Sequence, residues 1–526
     1  MKTKTLLILI TLIGLLLRLY QVSNYPPMLW DEASLGYNAY SILKTARDEY
    51  GTFLPLIFKS FGDYKPGLYV YLATPFVAIL GLSPLAVRLP SIILGSLLPL
   101  FLYKLITTIN PKAKKIALLS AFILAFNPIN IHLSRGAWET NILIVQLVLA
   151  SLFFYKEKYF VSALLFAATL YTYQSAKMIS LFLIITLFIL HRQKLLSKPT
   201  LILRRFVLPL FILALPIAYG ILFSSDSSRL KVVSLFSYPR SQAEVSQIVS
   251  ESGRLDYQIF HSHPVFFLRN FSSHYFNHFS SQLLAFKGDW QNPRHSAPYI
   301  GILLYPSLIF FIIGLFSQAK KTKKFFLLWL LLAPIPAALT RDSVQIIRAS
   351  NLSIPLVFFT ALGLKQFLQK FTSFFPRFLI FTAYLLSFIY YSDLYLNHMV
   401  KTNPTHFLYG QKQATEYLIA NQSKYRQIYF TNFYGQPYIY YLFYAKYPPQ
   451  TYQAQAKLSQ NSQGDTGTVE KINHIRFTST PQPNSLPPQS LAIYSREEII
   501  RLGLDTKNLL PLSPVNNIST FYAYHN

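Results

Sequence analysis

The sequence predicts a polytopic α-helical membrane protein of about eleven spans, ending in a small extracytoplasmic α/β domain. Three observations predict it. Of 526 residues, 52% are hydrophobic and 13% charged, with a mean hydropathy of +0.32; soluble domains ordinarily carry roughly 25% charged residues. The apolar residues fall in runs, several of them near the roughly 17 to 25 residues needed to cross a bilayer core. Lys and Arg outnumber Asp and Glu by 48 to 20, and the excess sits in short clusters between those runs. That pattern sets membrane orientation and argues against a nucleic-acid partner. The sequence has no cysteine, which excludes disulfides, a thiolate nucleophile and cysteine-ligated metal.

Taken in order, Lys2 and Lys4 precede a first apolar run, residues 6–22, with no small-residue cleavage pattern after it. It reads as an uncleaved span with its N-terminus in the cytoplasm. Residues 31–65 then form an outer loop. Within it, Leu35, Ala39, Ile42, Leu43 and Ala46 recur at helical spacing and predict an interfacial helix with one apolar face. Run 66–82 is at the short limit for a span and is interrupted by Pro75, so it is expected to lie on or dip into the outer leaflet. Run 85–109 crosses inward to Lys112, Lys114 and Lys115, and 116–131 returns, leaving residues 132–139 as a second outer turn. Runs 141–155, 159–171, 178–190 and 206–223 continue the alternation. A long polar outer segment, 224–298, follows. Run 299–316 leads to the inside cluster Lys320, Lys321, Lys323 and Lys324, and 325–339, 350–367 and 378–396 complete the set.

From about residue 397 the apolar runs stop. Residues 1–396 are therefore read as the membrane domain and 397–526 as an extracytoplasmic domain of ordinary size. Within the latter, 409–421 and 496–504 have helical spacing, and 427–431, 490–495 and 519–524 read as strands. Residues 458–489, rich in Ser, Gln, Pro and Thr, read as a long loop.

The chemistry gathers on the outer side. Asp31 and Glu32 are adjacent acids just after the first span, framed by Trp30 and the Pro26-Pro27 pair. Carboxylates so near a bilayer are costly unless paired, hydrated or used. Asp63, Lys65, Arg88, Arg135, Glu139, Asp342 and Arg348 share that side. Acids that accept a proton from a hydroxyl, with cations that hold a phosphate leaving group, would suit such a cluster. Guanidinium groups offer phosphate a planar bidentate fork. A structural partner for a nearby acid is the plain alternative for each arginine. His261, His263, His274, His278 and His295 lie in the long outer segment at spacings matching no usual zinc pattern.

An ordered set of motifs resembles a known family. Arg18-Leu19-Tyr20, Trp30-Asp31-Glu32-Ala33 with Gly36, Gly51, Pro55, Lys65-Pro66 and Arg88-Leu89-Pro90-Ser91 are similar to the polyprenyl-phosphate-sugar-dependent glycosyltransferases of the GT-C fold. The nearest in pattern are the protein O-mannosyltransferases and the lipid A aminoarabinose transferases. The resemblance is strongest over residues 18–141 and does not reach the tail. It implies Asp31 as general base with Glu32 beside it, Lys65 on the donor phosphate, and Glu139 at the acceptor or, in some relatives, a metal. Gly288 to His295 resembles a stretch before the corresponding span of related transferases, which implies a phosphate or acceptor contact for His295. Lys65-Pro66-Gly67 stands where the mannosyltransferases have histidine-proline-proline, and their inserted carbohydrate-recognition domain is absent.

Together these predict an integral-membrane glycosyltransferase moving one sugar from a polyprenyl phosphate to an acceptor glycan, lipid or protein at the outer face of the plasma membrane, with inversion. Asp31 and Glu32 are the catalytic candidates; Lys65, Arg135, Arg348 and Arg88 the donor-phosphate candidates; Glu139, His295 and Asp63 the acceptor or secondary ones. No metal ligand set and no further cofactor are indicated, and a divalent metal is left open. The rivals are a lipid or solute transporter, which would place ionisable groups near midplane, and a membrane-anchored binding protein working through its tail.

Overall fold

The computed structural model describes residues 3–223, 232–317, 320–459, 467–515 and 518–526. They are mostly helical and group into two compact units. One comprises Met1–Gly14, Leu97–His132 and Thr140–Ser392; the other comprises Leu15–Ser96, Leu133–Glu139 and Asp393–Asn526.

The first unit is a set of packed apolar helices. Helix Tyr305–Leu315 packs closely on helix Ser353–Lys370. A Cβ on Gly314 would fall 1.9 Å from the Phe359 carbonyl oxygen, and one on Gly363 would fall 2.0 Å from that of Phe310. Only glycine lets these backbones approach so closely, the small-residue packing that membrane helices use where lipid gives no hydrophobic drive. Phe326 stacks on Phe358 at 4.0 Å between ring centroids, and the buried Trp329 Nε1 donates to Asn351 Oδ1 at 2.8 Å. The polar stretch 224–298 is largely helical over its described part, including Gln242–Ser252 and His263–Asn277.

Among the described residues, four helices are long and apolar enough to cross a membrane, Pro84–Ile109, Pro199–Gly220, Ser350–Lys370 and Phe374–Thr402; the pair Pro111–Ala125 and Pro128–Ser134, bent by 58°, makes a fifth if it counts as one span. Several other apolar runs form shorter helices: Leu68–Leu80, Glu139–Tyr155, Tyr159–Leu170, Ala176–Leu190 and Tyr305–Leu315. Leu68–Leu80 has 13 residues, about 20 Å at 1.5 Å per residue, against a core of about 30 Å.

The second unit is built around α1 (Trp30–Thr45), followed by a hairpin of β1 (Ile57–Ser60) and β2 (Asp63–Pro66), and then α2 (Leu68–Leu80). Ten residues of α1 are buried, among them Ser34, Asn38 and Ser41 on the polar side. It is therefore a packed central helix rather than an interfacial one with a single buried face. Later in the chain come α3 (Gln411–Asn421), β3 (Gln427–Phe430), α4 (Pro437–Tyr444) and α5 (Pro449–Gln455), of which α4 and α5 pack directly on α1. Tyr440 Oη donates to the Met28 carbonyl at 2.9 Å and Tyr37 Oη to that of Tyr447 at 3.0 Å. Gly36 is required at the α1–α4 crossing, where a Cβ would lie 2.6 Å from the Phe443 ring.

The strands that join β3 in one sheet are β4 (Lys471–Ile472), β5 (Ile475–Phe477), β6 (Ser490–Ser495), β7 (Leu510–Pro511) and β8 (Phe521–His525), with α6 (Arg496–Leu502) between β6 and β7. They form one six-stranded sheet in the order β4-β5-β3-β6-β8-β7. β3 runs parallel to β5 and β6, and β8 pairs antiparallel with β6. Ser495 caps α6, accepting from the Glu498 amide at 3.2 Å while Glu498 Oε2 accepts from the Ser495 amide at 3.0 Å, a capping box. The stretch read as a loop, 458–489, contributes β4 and β5. Their inward residues Ile472, Ile475 and Phe477 are buried, in strands too short for alternation to show.

Candidate active site

Most of the outer-side candidates fall in the second unit, at the start of α1, on β2 and in the turn 133–139. Asp31 and Glu32 occupy the first turn of α1, where the helix dipole favours negative charge. They point to different surroundings. Glu32 is buried and fully engaged. Its Oε1 accepts from Arg88 Nε at 2.8 Å and from the Ala137 amide at 2.7 Å, and its Oε2 from Arg88 Nη2 at 2.6 Å and from the Leu29 amide at 3.1 Å. The Ala137 contact depends on Gly136, because a Cβ there would lie 2.7 Å from the Trp138 indole nitrogen and 3.4 Å from Glu32 Oε1.

Arg88 spends its remaining donors on backbone. Nη1 reaches the Val22 carbonyl at 2.7 Å and that of Pro26 at 3.0 Å. A buried ion pair holds only when its leftover protons and lone pairs are also satisfied, and here they are. Arg135 is buried too, with Nη1 donating to the Leu17 carbonyl at 2.7 Å, Nη2 to that of Tyr25 at 3.1 Å, and its guanidinium carbon 5.5 Å from the Tyr395 ring centroid. These two arginines tie the Tyr25–Pro27 approach and the 133–139 turn to α1.

Asp31 instead pairs with Lys65, and both keep access to solvent, their side chains 32% and 18% exposed. Lys65 lies on β2 opposite Phe58, its ammonium 5.3 Å from the Phe61 ring centroid. Gly67 just beyond closes the hairpin against the Phe58 ring, which a Cβ would meet at 2.4 Å. Glu139, half-buried, feels the same charges. Desolvation raises its pKa to about 7, with Lys65 opposing the rise and Asp31 and Glu32 adding to it. Asp63, at the start of β2, is buried, and its Oδ1 accepts from the Tyr64 amide at 2.8 Å.

Arg348 and His295 belong to the first unit. Arg348 Nη1 donates to Thr340 Oγ1 at 2.9 Å and lies 3.4 Å from Asp342 Oδ2. His295 Nδ1 is 3.0 Å from Asp289 Oδ2, which also accepts from the Ile346 amide at 3.0 Å. Burial lowers the His295 pKa, and Asp289 partly offsets this. Among the described residues no group of three His, Asp or Glu side chains is placed to hold a metal ion.

The chain has the GT-C fold of membrane glycosyltransferases. Residues 8–224, about two fifths of its length, match the family described as dolichyl-phosphate-mannose-protein mannosyltransferase. No curated protein sequence matches it. Among solved structures, the fold is similar to ArnT from Cupriavidus metallidurans, at 10% identity, 98% of this chain and 97% of that one; the TM-score is 0.54 with undecaprenyl phosphate bound and 0.55 in the apo state. A looser similarity, TM-score 0.44 at 13% identity, links 84% of this chain to 63% of the archaeal oligosaccharyltransferase AglB from Archaeoglobus fulgidus, in complex with an inhibitory peptide and a dolichol-phosphate.

Proposed function

We propose that the chain transfers a sugar from a polyprenyl-phosphate donor to an acceptor hydroxyl, with inversion, at the outer face of a plasma membrane. About eleven spans would set the N-terminus inside and residues 397–526 outside. The observation that carries the reading is the Asp31–Lys65 pair: a carboxylate and an ammonium, both reachable from solvent, joined where the family resemblance calls for base and phosphate holder. In the resting site each neutralises the other. When a donor phosphate takes the Lys65 ammonium, Asp31 is released to act as base. The acceptor oxygen then bonds to the anomeric carbon and its proton passes to Asp31. The bond from that carbon to the phosphate oxygen breaks, and polyprenyl phosphate departs with its charge met by Lys65.

Arg88 and Glu32 then serve as frame, since their hydrogen bonds are already committed within the protein, and Arg135 joins them through the Leu17 and Tyr25 carbonyls. Glu139, titrating near neutrality beside the pair, is suited to orient the acceptor. Arg348 and His295 hold local structure through Asp342 and Asp289. The test is to incubate the purified protein with a panel of labelled polyprenyl-phosphate sugars and follow release of lipid phosphate. Release with none of them, across a range of acceptors, would refute the proposal.

A further inference from the structure

Behind the Asp31–Lys65 pair lies a buried polar seam that the transfer chemistry does not use. Glu49 follows α1, and its side chain is wholly buried. It is locked to Asn38 in both directions: the Glu49 amide donates to Asn38 Oδ1 at 3.0 Å, and Asn38 Nδ2 donates to Glu49 Oε1 at 3.1 Å. Asn38 Nδ2 also reaches the Ser34 carbonyl at 3.0 Å. Ser34 Oγ in turn meets Ser60 Oγ at 2.9 Å. Ser60 is the last residue of β1, opposite Asp63 in the hairpin whose other strand carries Lys65, and Ser34 sits three residues after Asp31 on α1. The seam therefore links the helix of the acid to the hairpin of the lysine.

We propose that Glu49 is a positioning residue that, through Asn38, Ser34 and Ser60, holds the hairpin bearing Lys65 in register with the helix bearing Asp31. It does so as the neutral acid. Glu49 Oε2 is buried with no hydrogen-bond partner among the described residues, and an ionised oxygen so placed would be left without the solvation it needs. The groups facing it are Asp48 and Tyr50 on its own loop, Lys65 on β2, Tyr37 on α1, Tyr438 on α4 and Tyr452 on α5. Lys65 is the cation of that set. Burial, with Asp48 adding, raises the Glu49 pKa to about 8, while Asn38 and Lys65 oppose the rise. Above that pH an ionised Glu49 competes with Asp31 for the Lys65 charge and loosens the hairpin.

This inference rests on the transferase reading of the pair, so its test includes a readout that needs no turnover. Hydrogen exchange of the hairpin amides, residues 57–65, is measured on the purified full chain alongside donor kinetics for wild type, Glu49→Ala, Glu49→Gln and Ser60→Ala. Glu49→Ala and Ser60→Ala should speed hairpin exchange about tenfold and raise the donor KM by more than they lower kcat, the effect of losing one or two buried hydrogen bonds that orient a binding group. Glu49→Gln, the conservative neutral replacement, should restore hairpin protection. In wild type, hairpin exchange should rise above about pH 8 faster than the intrinsic base-catalysed rate, and in Glu49→Gln it should not. Unchanged hairpin exchange in Ser60→Ala, or identical pH profiles in wild type and Glu49→Gln, would overturn the proposal even if Glu49→Ala fails to fold. Absence of lipid-phosphate release from wild type would instead refute the transferase reading and leave the exchange comparison to decide the seam.

Discussion

Glu32 and Asp31 are neighbours in sequence, and replacing each should break a different property. In Glu32→Gln the amide keeps the shape of the carboxylate but leaves the Arg88 guanidinium, fully buried, without its counter-charge. One amide oxygen must also do the work of two carboxylate oxygens that together accept four hydrogen bonds, from Arg88 twice, Ala137 and Leu29. Removing one partner of a buried ion pair costs about 3–5 kcal/mol, a large part of the roughly 5–15 kcal/mol that stabilises a domain. Folded yield after gel filtration in detergent, together with thermal unfolding followed by tryptophan fluorescence, should therefore fall sharply. Turnover per folded molecule should fall far less than in an Asp31 variant. If Glu32→Gln unfolds at the wild-type temperature while its turnover collapses, Glu32 is a chemical participant and the assignment of it to the frame is wrong.

The other perturbations separate roles in the same way. Asp31→Asn should stay folded and still bind donor but lose about 100-fold or more of turnover, as expected for a lost general base; near-normal single-turnover rates would move the role to Glu139. Lys65→Ala should raise the donor KM by roughly ten- to a hundredfold, the range of a lost charge-assisted hydrogen bond, and an unchanged KM would remove Lys65 from the phosphate site. Arg348→Ala and His295→Ala should lower thermal stability and leave donor KM unaltered, because their partners Asp342, Thr340 and Asp289 are internal; a raised KM without destabilisation would return them to the donor site. Glu139 and Glu49 have folded pKa values of about 7 and about 8, above their ordinary 4.5. The native state therefore keeps protons that the unfolded chain has lost, and their contribution to stability declines as pH rises from about 4.5 to about 8. A pH series of unfolding midpoints should show this decline, less steep in Glu49→Gln, and a flat series across that window would contradict it.

The amino-acid sequence alone determined the membrane class, because long apolar runs bounded by lysine clusters allow few other chains. It also determined Asp31, Glu32 and Lys65 as the residues to examine, because acids beside a bilayer need a reason and the motif order resembled one family. Local spacing was enough for Trp30–Thr45, Gln427–Phe430 and Ser490–Ser495. It could not show β4 and β5, strands of two and three residues, of which β5 is held by pairing with the distant β3 and β4 by pairing with β5.

Only the tertiary structure could divide the charged cluster. Arg88, Arg135 and Lys65 are all cations near the outer side in sequence, and nothing in their spacing says that two have their donors taken by the Val22, Leu17 and Tyr25 carbonyls while the third meets a solvent-facing acid. Folding likewise joined residues 15–96 with 393–526 in one compact unit, which set Tyr438 and Tyr452 near Glu49, itself buried. Hydropathy and period report on neighbours in the chain. The charge state and availability of a side chain depend on what folding places against it from elsewhere.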